Sequence, residues 1–267
     1  MESDVTHAMF VSPPARVLRQ VRTSTAGTPT SWMQARIKGK QEVAKGTLFV
    51  TFDLLGEQVA FEPGQYFFVT LPDVGHQDER GLRRHFSVVT SPEDRVLGFA
   101  TRMRDSAFKR TLRELPVGTE VEVEQPKGSF VLPDDTSRPL VFIAGGIGIT
   151  VFRSMLRYIR EEALPHHVTL IYSNRDRDST AFLDELRELE QEISDFRLIL
   201  TMTQDPGWGG ETRKVDTQFV KDYLGEDLDQ FTFLVAGPPP LVEGAQRALE
   251  AAAVPDENVV AESYSGY

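Results

Sequence analysis

Two domains are predicted from the pattern of this chain: an N-terminal six-stranded antiparallel β-barrel at residues 33–137, and a C-terminal α/β domain on a parallel sheet at 138–267. Three observations predict them. Short β segments at barrel-like spacing fill the first half, and strands alternating with helices fill the second. Between them the stretch Leu140–Leu156, LVFIAGGIGITVFRSML, carries an apolar strand through a glycine turn into an amphipathic helix. A chain of 267 residues is long enough for two such domains, each with its own core.

Residues 1–32 are polar, aperiodic and rich in turn formers (Ser12-Pro13-Pro14, then TSTAGTPTS at 23–31), the composition of a flexible arm. From Met33 six strands are expected: QARIKGKQEV, GTLFVTFDL, GQYFFVTL, HFSVVTS, VLGFATRM and TEVEVEQ. One helix interrupts them at Ser106–Leu115, with Ser106 as its N-cap and Phe108, Leu112 and Leu115 on one face. PDDTSRP at 133–139 reads as the linker. In the second domain Phe152, Met155, Leu156 and Ile159 give the helix after the glycine turn one apolar stripe. Strands are expected at 168–173, 196–202, 231–236 and 258–263, and helices at 181–192, 217–224 and 241–252.

Ligands on a parallel sheet sit at the carboxyl ends of its strands. The glycine turn, Ser173–Arg177, Thr203–Thr212 and Gly237–Pro240 all fall at those ends. Gly145, Gly146 and Gly148 leave no side chain between the backbone and an approaching group, and the following helix presents unpaired N–H groups with partial positive charge. Diphosphates bind at such places.

Composition narrows the classes. Charged residues at 26% and hydrophobic residues at 40% are globular values, and no 18-residue apolar run exists to span a bilayer. No basic leader precedes an apolar stretch, so the expected compartment is the cytoplasm. Without cysteine the chain carries neither a disulfide nor a cysteine-ligated iron–sulphur cluster. A net charge of −11 argues against nucleic acid as a partner, and the five histidines never fall at metal-ligand spacing, so no metal is assigned.

At Arg84-His85-Phe86-Ser87 the sequence resembles the R-x-Y-[ST] flavin motif of the ferredoxin–NADP reductase superfamily. PGQYF at 63–67, the helix start DSAFKRTL, AGGIGIT, YSNR, VAGPPPLVE and the terminal ESYSGY agree in order and spacing over roughly residues 33–267. The resemblance implies a flavin-dependent NAD(P)H oxidoreductase. Electrons would pass from a nicotinamide dinucleotide through FAD, with FMN as the alternative, to an electron carrier or a small acceptor. Two other readings stay open: an electron-transfer subunit of a larger complex, and a redox sensor that binds flavin or dinucleotide without turnover.

The resemblance also implies roles. Arg84 would pair with the flavin phosphate, with His85 beside it in the motif. Phe86 would lie against the isoalloxazine ring where the family has Tyr, and Ser87 would donate to flavin N5. Ser106, Ala107 and Phe108 would hold the diphosphate at a helix N-terminus. Asp105 is an awkward neighbour there, repelling a diphosphate unless it turns away or pairs with Arg102 or Arg104.

Gly145, Gly146, Gly148, Thr150 and Ser173 would meet the dinucleotide, and Gly237 and Pro238 would form a backbone wall near the nicotinamide. Relatives that take NADPH often carry Ser-Arg after the third strand of this domain, where this chain has Thr203-Gln204. Arg175 and Lys214 could hold a 2′-phosphate or be loop charges, which leaves the nucleotide open. Glu262 and Tyr264 match the Glu-x-aromatic pair that covers the flavin, and since the chain continues to Tyr267 either tyrosine could stack. Ser87, Glu262 and Tyr264 are therefore the expected catalytic residues. Finally, nine Lys or Arg residues face three acids between Arg80 and Arg113 in a chain of net charge −11, which suggests a docking patch, Lys109 and Arg113 included, for an acidic ferredoxin or flavodoxin.

Overall fold

The computed structural model describes residues 32–264; the expected arm before Trp32, and Tyr267, lie outside the described residues. Six strands come first: β1 (Trp32–Ala44), β2 (Thr47–Asp53), β3 (Tyr66–Thr70), β4 (Arg83–Ser87), β5 (Leu97–Arg102) and β6 (Glu120–Glu124). They pair antiparallel in the order β4-β3-β6-β1-β2-β5. The chain just past β4 then reaches the other edge, where Val89 N–H donates to the Gly98 carbonyl at 2.9 Å and draws the sheet closed. Period-two alternation buries Phe52, Phe67, Phe99, Val69 and Val123 inside. Helix α1 (Ala107–Glu114) adds Phe108 and Leu112 to that core, and the Ser106 hydroxyl caps it by accepting the Lys109 N–H at 3.3 Å.

The second half holds β7 (Leu140–Gly145), α2 (Ile149–Glu161), β8 (Val168–Asn174), α3 (Leu183–Glu192), β9 (Phe196–Met202), α4 (Thr217–Leu224), β10 (Thr232–Gly237), α5 (Pro239–Ala251) and β11 (Val259–Ser263). Its five strands run parallel in the order β11-β10-β7-β8-β9. Every residue of β7 is buried, as a strand covered on both faces requires. On one face α2 and α3 pack Phe152, Met155 and Leu186 against Phe142 and Leu170. On the other, α4 and α5 pack Phe219 and Val242 against Val141 and Val235. The strand order reverses between β7 and β10, and a crevice at such a switch point is where this class of sheet binds ligands.

Two boundaries differ from expectation for local reasons. Helix α5 begins at Pro239, not Leu241, because a proline's missing N–H costs nothing in a first helical turn. Strand β4 stops at Ser87, since the residues after it turn to serve β5 and α2. Arg153 Nη1 donates to the Val89 carbonyl and Ser154 Oγ to that of Thr90, both at 2.6 Å, while Arg157 grips Asp94 with two bonds of 2.8 and 2.7 Å. The helix that follows the glycine turn is thus fixed to the barrel. No helix among the described residues is long and apolar enough to cross a membrane.

Candidate functional site

Two cavities open where the halves meet. The first, about 790 Å³, lies against the barrel between β4 and the start of α1. Arg84, His85, Phe86, Ser106 and Phe108 line it, together with Tyr264 from the far end of the chain. Arg84 is held by the carbonyls of Arg80 and Arg83, which its Nη1 reaches, while its buried Nη2 meets no hydrogen-bond partner. That guanidinium is oriented and still has a donor to give. Opposite it, 3.5 Å from Nη2, stands Asp78, whose Oδ2 accepts the Ala107 N–H at 2.6 Å. The Ala107 bond, with the Arg80 N–H and the Arg84 charge, holds the Asp78 carboxyl below its ordinary range.

A carboxylate of the chain itself therefore occupies the helix N-terminus beside Arg84, where an incoming phosphate is expected. The arrangement fits an anion, and the incoming anion must displace Asp78. Asp78 escaped the sequence reading because its partners lie six and 29 residues further on; the one local signal is its Asx turn, in which Oδ1 accepts the Arg80 N–H at 2.9 Å. Asp105 is no obstacle: it pairs with Arg110, one helical turn on, and not with Arg102 or Arg104.

One expectation needs correction here. Lys109, expected on a docking surface, is only 7% exposed and lines the cavity; burial, with Arg104, Arg80 and Arg84 nearby, brings its ammonium down to about 8. Phe86 is a refinement and not a correction: it lines the cavity as expected and lies parallel to Phe99 at 3.9 Å, so one face of its ring is taken by the barrel core.

Ser87, Tyr264 and Glu262 form a hydrogen-bonded row. Ser87 Oγ donates to the Tyr264 hydroxyl and that hydroxyl to Glu262 Oε2, each at 3.0 Å. Burial pushes the Glu262 carboxyl up. Glu262 itself faces a separate, smaller cavity beside Tyr66 and Phe130. The Tyr264 N–H donates to the Gly237 carbonyl at 2.9 Å, tying the row to the end of β10.

The second cavity, about 510 Å³, lies at the carboxyl ends of the parallel strands and is lined by Gly145, Gly146, Ser173, Arg175, Lys214 and Pro238. Gly146 sits at φ +50° in the turn, and the Tyr172 hydroxyl fixes it by donating to its carbonyl at 3.0 Å. At Gly148 a Cβ would fall 2.1 Å from the Ala236 carbonyl oxygen, so only glycine lets the turn close onto β10. Gly148 and Gly237 thus shape the crevice from behind and do not line it. Thr150 is corrected: its hydroxyl is buried and donates to the Ile147 carbonyl at 3.0 Å, inside the first turn of α2.

Among the charged lining residues Arg102, Arg104 and Arg247 were not expected in this cavity, and Asn174 was covered only by the stretch Ser173–Arg177. Asn174 is 6% exposed, and its amide meets no partner within hydrogen-bond geometry, leaving a donor and an acceptor unsatisfied at the cavity. Arg104 lines both cavities.

Residues 142–247 match the family of oxidoreductase NAD-binding domains. The chain is 32% identical over 171 residues to methane monooxygenase component C of Methylosinus trichosporium, covering 63% of this chain and 47% of that one. It is 27% identical over 246 residues to the reductase component of propane 2-monooxygenase from Gordonia sp. (strain TY-5), covering 90% and 69%. The chain thus spans about half to two thirds of the length of these relatives. The crystal structure of the Amycolatopsis cytochrome P450 reductase GcoB superposes with a TM-score of 0.73 at 24% identity, over 87% of this chain and 69% of that one, which is a likeness of fold. With an antiparallel barrel leading into a parallel sheet whose residues 142–247 match oxidoreductase NAD-binding domains, the chain has the two-domain fold of these flavin- and NAD-binding reductases.

Proposed function

We propose that the chain is a flavin-dependent NAD(P)H oxidoreductase, with FAD in the barrel cavity and a nicotinamide dinucleotide in the cavity at the ends of the parallel strands. The observation that carries this is their continuity: Arg104 lines both, and Tyr264 is bonded to Ser87 on the barrel and to Gly237 on the sheet. When bound, the flavin supplies hydride acceptance and onward electron transfer; the chain supplies position and charge. Arg84, the Ala107 N–H and Lys109 would hold its phosphates once Asp78 gives up its place. The unsatisfied Asn174 amide and the backbone of the Gly145–Gly146 turn would orient the dinucleotide. The row Ser87–Tyr264–Glu262 can hold a proton at the tyrosine oxygen, and burial brings Glu262 nearer to the range in which it would accept one.

The acceptor we propose is an acidic electron carrier of the ferredoxin or flavodoxin kind, steered by Arg80, Arg83 and Arg104, which are exposed at the mouth of the barrel cavity. These replace the buried Lys109 and stand with the exposed Arg113 as the docking charges. The compartment that suits a consumer of reduced nicotinamide nucleotide and carrier is the cytoplasm. The test is steady-state reduction of ferricyanide by the flavin-loaded protein with NADH and with NADPH. Turnover that disappears when flavin is stripped supports the reading, whereas flavin and nucleotide binding without turnover would make the chain a sensor. Carrier reduction should slow several-fold between low salt and about 0.5 M salt, with ferricyanide as the unsteered reference.

A further inference from the structure

We propose that the dinucleotide cavity is built for a 2′-phosphorylated nucleotide, NADPH, in preference to NADH. The inference rests on reading that cavity as the nicotinamide dinucleotide site. Five cations line it: Arg102 and Arg104 from the barrel, and Arg175, Lys214 and Arg247 from the α/β half. Among the described residues no carboxylate does. A dinucleotide's diphosphate carries two charges, which the barrel pair and the glycine turn can answer. The other three have nothing to neutralise unless the ligand brings a further phosphate. A ribose with a free 2′-hydroxyl is held by an acidic side chain, and a 2′-phosphate by arginine or lysine.

The neighbouring acids sharpen the point. In the loop after β8, Arg177 is paired with Asp205 at 2.8 Å; after β9, Arg213 is paired with Glu211 and Asp222, each at 2.6 Å. Each loop thus carries one neutralised arginine and one cation, Arg175 or Lys214, with no ion-pair partner among the described residues. It is the two unpaired cations that line the cavity. The third comes from α5, where Leu241, Gly244 and Arg247 fall on one face at helical spacing. Gly244 adds no side chain to that wall, and the space beside it is open, since an added Cβ there would meet nothing within 4 Å. Among the described residues Arg247 pairs only with Glu243, at 3.8 Å in an exposed pair that binds it weakly.

The test pairs a binding with a rate measurement on the flavin-loaded protein: calorimetric titration with 2′,5′-ADP and with 5′-AMP, and kcat/KM for ferricyanide reduction by NADPH and by NADH. We expect 2′,5′-ADP to bind at least about tenfold tighter than 5′-AMP and NADPH to be preferred by a similar factor, the scale of one charge-assisted contact. Arg175→Gln and Lys214→Gln should each lower both ratios about tenfold. Equal use of the two nucleotides, a preference for NADH, or ratios that neither substitution moves would overturn the inference, while turnover with either nucleotide leaves the proposed function standing. If neither nucleotide supports turnover and 2′,5′-ADP still outbinds 5′-AMP, the oxidoreductase reading fails and the 2′-phosphate site stands.

Discussion

The barrel cavity and the cavity at the ends of the parallel strands each draw five Lys or Arg side chains, yet only the barrel cavity is also lined by carboxylates, Asp78, Glu79 and Asp105. In the barrel, Asp78 already takes the helix N-terminus and faces Arg84, so a ligand phosphate competes with a charge the chain supplies itself. At the sheet ends no carboxylate among the described residues competes. The difference teaches that similar counts of positive charge can make two kinds of anion site: one self-compensated until its ligand displaces an internal group, the other open to a ligand that comes and goes. A tightly kept cofactor suits the first and an exchanging substrate the second.

The largest effect should come from removing the barrel's oriented cation. Arg84→Ala should lose flavin on gel filtration, at a cost of about 2 to 4 kcal/mol in cofactor binding, while 2′,5′-ADP titrates as before. Full flavin occupancy in the folded variant would take the phosphate away from Arg84. Next comes the crevice behind the second cavity. Gly148→Ala forces a Cβ against the Ala236 carbonyl and should cost about 1 to 3 kcal/mol in thermal denaturation, whereas Gly244→Ala, in open space on a helix, should be neutral or stabilising by up to about 1 kcal/mol. If the two behave alike, the turn is not wedged against β10.

Much of this organisation was legible in the sequence, because strand and helix periods and the glycine turn are local signals. All six barrel strands, α1 with its Ser106 cap and the order of the parallel strands with their helices follow from such patterns. Where local rules compete, the edges moved: Phe182 takes a left-handed conformation at φ 59°, so α3 starts at Leu183, later than its apolar pattern suggests. The site was legible in part. Arg84, Arg175, Lys214 and Pro238 line the cavities where the family resemblance implied them, and the Ser106 cap and the Gly145–Gly146 turn were also legible as local patterns. Asp78 and Arg247 did not show, and Asn174 only as part of a stretch, since what marks each is a long-range partner or the lack of one. Lys109 was misread because a charged residue three after an N-cap looks solvated until the helix is seen to bury it.

Smaller effects probe the internal carboxylate and its surroundings. Asp78→Asn removes the competing charge and the ion pair, so flavin should bind about 1 kcal/mol tighter while the unliganded protein loses a similar amount of stability at α1. Unchanged flavin affinity would mean that Asp78 never stood in the ligand's place. Smaller still is the pH effect of Lys109, whose ammonium sits at about 8 in the unliganded protein. An anion pairs with the protonated form and raises its pKa, so affinity is full below about 8 and falls above it. Flavin binding should therefore weaken about threefold to fourfold between pH 7 and 8.5, and Lys109→Gln should flatten that slope.

The central claim is that the ligands of the two cavities exchange electrons across the boundary where Arg104 lines both. Anaerobic titration of the flavin-loaded protein with NADPH, followed in the visible spectrum, tests it most directly. The account predicts that the flavin absorption bleaches with about one equivalent of nucleotide and returns on admitting an oxidant. A flavin that stays oxidised while 2′,5′-ADP is shown to bind would contradict it, leaving two occupied sites with no traffic between them.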